Sequence, residues 1–143
     1  MIKKSVVVLS FLFIFLNPVY ANAEDFKYVE IFDPKQNKVV KVVQLNSEIQ
    51  NIVGNWVKNV HGIYGKTDPI TDDGYVVKVP FDSAIEIKCE ALTTTINEVY
   101  ILFPETAPPF YIIFESANKA SCYPFNGDID ILSKILDFKL TYK

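Results

Sequence analysis

The chain has 143 residues, half of them hydrophobic, with a formal net charge of −3, two cysteines and one histidine. All of its basic residues are lysines, and Lys is a poor replacement for Arg where a phosphate or carboxylate is gripped through two hydrogen bonds. An acidic balance without a basic cluster excludes nucleic acid and an anionic membrane surface from the expected partners.

Lys3 and Lys4 precede an apolar run from Val6 to Leu16, Asn17 and Pro18 end it, and Ala21-Asn22-Ala23 supplies small residues. This is the pattern of a cleaved signal peptide over residues 1–23. The run is shorter than the ~20 apolar residues of a spanning helix, so no stable membrane insertion is expected after cleavage. The mature chain then forms a single domain over 24–143, and losing the two leader lysines takes its formal charge to about −5. That length suits one core, and the expected location is secreted or at the cell envelope. In that compartment Cys89 and Cys122 have two open readings. They form a disulfide, or they are two buried thiols packing as small hydrophobes.

In chain order, Phe26–Phe32 mixes aromatic and β-branched residues in near alternation, which predicts a strand. Asp33-Pro34-Lys35-Gln36-Asn37 is turn chemistry, and Val39–Leu45 is the returning strand of a hairpin. Ser47–His61 places Ile49, Ile52, Val53, Trp56, Val57 and Val60 at steps of three and four. That spacing predicts one long amphipathic helix. Ser47 with Gln50 has the form of a capping box, and Gly62 that of a stop. Gly62–Gly74 is the longest irregular connection.

Tyr75–Phe81 reads as a strand, with Pro80 marking an edge or an end. Ile85, Ile87, Cys89 and Ala91 alternate with Glu86, Lys88 and Glu90, the pattern of a half-buried strand. Asn97–Phe103 and Phe110–Phe114 are apolar on both faces, joined by the stiff Pro104–Pro109. Ser121–Phe125 is a last strand before the Asn126-Gly127 turn, and Asp128 or Asp130 caps a short C-terminal helix to about Phe138. The expected fold is α+β: seven strands in a mostly antiparallel sheet, the long helix on one face, and the stripe of the C-terminal helix available to cover the other.

Candidate chemistry is sparse. His61, the sole histidine, has no partner at a motif spacing and suits the negative end of the preceding helix. Asp68, Asp72 and Asp73 lack the ligand spacing of a calcium loop, so no metal is expected. No Gly-rich phosphate loop, zinc signature or nucleophile elbow is present, and no cofactor or catalytic residue is assigned. The aromatic excess points to recognition instead, since Tyr offers apolar area with a polar tip. Tyr100 and Tyr111, expected on one side of the central hairpin, are the candidate binding residues, together with Tyr64, Asp72 and Asp73 of the long loop.

The segments Glu30-Ile31-Phe32-Asp33-Pro34, Gly62-Ile63-Tyr64-Gly65-Lys66, Val79-Pro80-Phe81, Asn97-Glu98-Val99-Tyr100 and Pro109-Phe110-Tyr111 resemble patches in small exported proteins of unknown function from spore-forming Gram-positive bacteria. The resemblance implies export and a single domain, and it carries no site residues. The expected function is non-enzymatic binding of a protein, peptide or cell-wall component. The alternatives are a small extracytoplasmic hydrolase using His61 with a carboxylate, and a homodimeric structural accessory protein.

Overall fold

The structure, a computed structural model, describes residues 26–62, 64 and 73–140. Strands β1 (Tyr28–Asp33) and β2 (Lys38–Gln44) form a hairpin, and helix α1 (Ser47–Lys58) follows. Strands β3 (Tyr75–Lys88), β4 (Thr93–Phe103), β5 (Phe110–Ser116) and β6 (Lys119–Pro124) then run as a meander, closed by helix α2 (Ile129–Ile135). The six strands make one antiparallel sheet in the order β2-β1-β3-β4-β5-β6. The expected leader over residues 1–23 lies outside the described residues.

The expected long helix is not present. α1 has 12 residues and α2 has seven. Asn46, rather than Ser47, caps α1: its side-chain oxygen accepts from the Ile49 N–H at 2.9 Å. At the far end the Asn59 N–H bonds to Trp56 O at 3.1 Å and the Val60 N–H to Val57 O at 3.3 Å. These tighter i to i−3 bonds wind the helix out. Val60 keeps the helical spacing only because it enters the core beyond the helix end, where it is 1% exposed. Gly62 plays no part in the stop, standing four residues past Lys58 with a φ of +81°.

Six strands replace the expected seven, because residues 75–88 form one strand with a register shift between Pro80 and Ile85. Pro80 is therefore not at an end of the strand, but it lies where β3 has no β1 neighbour and is locally an edge. It is tolerated there because β1 pairs with β3 only through Glu30, Ile31 and Phe32, opposite Val76–Lys78. Further along, no ladder donor is needed on that side. The Phe81 carbonyl on β3 takes the Lys27 ammonium at 2.7 Å instead.

Both helices cover the same face. Ile49, Val53 and Val57 of α1 join Leu132, Leu136 and Leu140 in one core with Val29, Ile31, Val77, Val79, Ile101, Tyr111 and Ile113. The stripe of α2 therefore does not cover the opposite face, which holds a smaller cluster: Phe32, Val76, Tyr100, Leu102 and Phe110. The cysteines separate in the same way. Cys89 packs on the helix-side core and Cys122 on the other cluster. Both are free thiols, with the sheet between them, so the disulfide reading is corrected.

Candidate functional site

Register decides which side chains share a face. Tyr100 pairs with Ile112 and Ile101 with Tyr111, so alternation puts Tyr100 and Tyr111 on opposite sides of the sheet. The expected pairing of these two tyrosines on one side is corrected. Tyr111 is wholly buried under the helices, and its hydroxyl donates to Asn126 Oδ1 at 2.6 Å. Asn126 Nδ2 in turn donates to Trp56 O at 2.8 Å. Burial pushes the Tyr111 phenol well above its ordinary range. This is a tie between α1 and the segment after β6, without a ligand-facing surface.

Tyr64 and Tyr100 lie on the second face. Tyr64 stacks on Phe110 with ring centroids 4.1 Å apart, and Tyr100 meets Phe114 edge-on at 5.6 Å. Burial raises the Tyr64 phenol, with Cys122 adding to it, and burial likewise raises the Cys122 thiol. Tyr100 is only 6% exposed, with its hydroxyl 3.5 Å from Glu98 Oε1. Burial pushes its phenol far up, Glu98 and Glu30 adding to the effect. Asp73 accepts from the Glu105 N–H at 3.0 Å, and Lys35 reaches the Glu105 carboxylate at 2.7 Å. Asp73 thus anchors the β4–β5 connector. Asp72 and Asp68 lie outside the described residues, and no cluster of metal-ligating side chains occurs among the described ones.

The second face has two halves. In one, Tyr64, Phe32, Val76, Leu102 and Phe110 pack together. The other half is open. Val42 is 53% exposed and Tyr28 is 41% exposed. The register runs Val42–Glu30–Lys78–Tyr100 straight across four strands. Glu98 flanks that row, with its carboxylate 3.6 Å from the Lys78 ammonium. Two carboxylates therefore share one ammonium on a half-buried strip beside exposed apolar side chains. Burial raises the Glu30 carboxyl above its ordinary value, Lys78 opposes the shift and Glu98 adds to it.

Sequence reasoning did not single out Tyr28, Glu30, Val42 or Lys78. The signal was available in the alternation of Tyr28, Glu30 and Phe32, which leaves a charged residue between two aromatic ones on one face. A second feature is a groove of about 490 Å³ between the end of α1 and the β3–β4 hairpin tip, lined in part by His61, Cys89 and Glu90. There the Cys89 thiol donates to Leu92 O at 3.4 Å, and His61 Nδ1 lies 3.2 Å from Asn59 O.

The arrangement defines a two-layer α+β domain with both helices on one side of a six-stranded antiparallel sheet. No family model, curated protein or solved structure matches the chain.

Proposed function

We propose that this chain is a non-enzymatic extracytoplasmic binding domain whose ligand, a protein, peptide or cell-wall component, lies on the open half of the second face. The observation that carries the reading is the placement of both helices on one side, which leaves Tyr28 and Val42 exposed beside Glu30, Lys78 and Glu98. Aromatic and aliphatic area rimmed by charge is what recognition surfaces offer.

The test is backbone and methyl NMR of the full chain titrated separately with a panel of unstructured peptides and with soluble cell-wall glycan fragments. Shifts centred on Tyr28, Glu30, Val42 and Lys78 are the expected outcome. A response confined to the groove at His61, or no response from any residue, overturns the reading. Doubling of the mass in sedimentation, with these residues losing exposure, makes the face a contact between two copies instead.

The groove favours one second reading, a small hydrolase in which His61 works with Glu90. It requires any hydrolytic activity on wall fragments or peptides to disappear in His61→Ala.

A further inference from the structure

We infer that the outer edge of β2 accepts an extended polypeptide segment bearing Arg or Lys, whose basic side chain crosses Val42 and ends at Glu30. This inference rests on the binding reading above and names the class of ligand. β2 is the terminal strand of the sheet, so the polar backbone groups on its far side pair with no described strand. An extended chain adds to such an edge through main-chain hydrogen bonds, and its alternate side chains provide selectivity.

The row across the sheet sets what those side chains meet. An added strand lengthens the row Val42–Glu30–Lys78 by one place. Its residue beside Val42 stands two strand spacings, about 10 Å, from Glu30. A long basic side chain and the Glu30 side chain close that gap from opposite ends. The aliphatic stem then lies on Val42, as the stems of Lys and Arg do on apolar surface. Tyr28 pairs with Gln44, next to Val42 on the same face, and offers its ring to the cation.

Charge selects the same occupant. Among the described residues, the strip sets two carboxylates, Glu30 and Glu98, beside the one ammonium of Lys78. On this face β2 contributes Val39, Val42 and Gln44, while Lys38 and Lys41 pair with Asp33 and Ile31 and turn to the helix side. An acidic segment would bring its carboxylates to Glu30 and Glu98 with no β2 cation on that face. The opposite edge, β6, ends in Pro124, which has no N–H to donate.

The experiment is a fluorescence-anisotropy titration of the full chain with a labelled, end-blocked eight-residue peptide alternating Arg and Thr, beside its Glu-for-Arg counterpart. The Arg peptide is expected to bind, more weakly as salt rises, and the Glu peptide not to bind. Glu30→Gln is expected to weaken the Arg peptide roughly tenfold, the loss of one charge-assisted hydrogen bond. Val42→Lys, which keeps the backbone edge, is expected to weaken it by at least as much. Equal binding of both peptides, no binding of the Arg peptide, or an unchanged affinity in Glu30→Gln overturns the inference. If glycan fragments still shift Tyr28 and Val42 in the NMR titration, the binding face stands and only the peptide occupant falls. If the face responds to neither, both fall.

Discussion

Asn126 does two jobs with one side chain, accepting from the Tyr111 hydroxyl and donating to the Trp56 carbonyl. Removing it in Asn126→Ala leaves a buried phenol without its partner. The expected loss is roughly 1–3 kcal/mol of unfolding free energy, read from urea melts. Glu30 behaves in the opposite sense. Its folded-state pKa is raised chiefly by burial, so the folded chain holds that proton more tightly than the unfolded one. Stability is then highest below the unfolded pKa and is lost as pH rises through the folded one. Glu30→Gln is expected to melt at a higher temperature than the parent at pH 7, with the gap closing as pH falls toward 4. A residue that lowers stability while it strengthens ligand binding is kept for function, a trade common at binding sites. A Glu30 without a binding role gives the same rise in melting temperature but leaves the affinity for the Arg peptide unchanged.

At the scale of the element, Gly74 opens β3 with a φ of +81°, and a Cβ there would run into the Phe103 carbonyl and Pro104. Gly74→Ala combines left-handed strain with overpacking against backbone. It is expected to cost about 2–4 kcal/mol in denaturant melts, more than a surface change. The elements themselves were largely legible. The turn at Asp33–Asn37 and the Asn126-Gly127 break correspond to structure, and so does the alternation at Ile85 and Ile87, although the strand stops at Lys88 and leaves Cys89 and Ala91 in the hairpin turn. What escaped depended on contacts distant in sequence. Tyr75–Phe81 and the Ile85 alternation read as two strands, yet the Gln50 side chain holds the Asp82 N–H at 2.9 Å and the Ser83 carbonyl at 3.3 Å, so one strand bends through the gap between them. Val60 mimicked a further helical turn because burial, rather than backbone hydrogen bonding, placed it at the helical spacing. The facing of Tyr100 and Tyr111 depends on register across a six-residue connector, and a slip of one residue there exchanges the faces. The open half of the second face was hidden for the same reason: it exists only once β1 is seated against β3.

Across the whole molecule, the sheet is joined unevenly. β3 and β4 pair over Tyr75–Pro80 and again over Ile85–Lys88, whereas β1 meets β3 only at Glu30, Ile31 and Phe32. The meander from β3 to β6 has short connections and local pairings, the kind that form early, and the β1–β2 hairpin must be carried back over α1 to dock. Native-state hydrogen exchange is expected to show the amides of Tyr28–Gln44 opening as a unit at lower free energy than those of β3 and β4. Uniform protection across all six strands overturns that expectation.

The narrow junction has a consequence for how occupancy is felt. Glu30 and Lys78 sit on either side of it, so whatever engages both staples the hairpin to the meander. A bound partner would then announce itself far from its own footprint, as slowed solvent exchange along the entire β1–β2 ribbon, and the domain would act as a latch whose hinge is three residues wide.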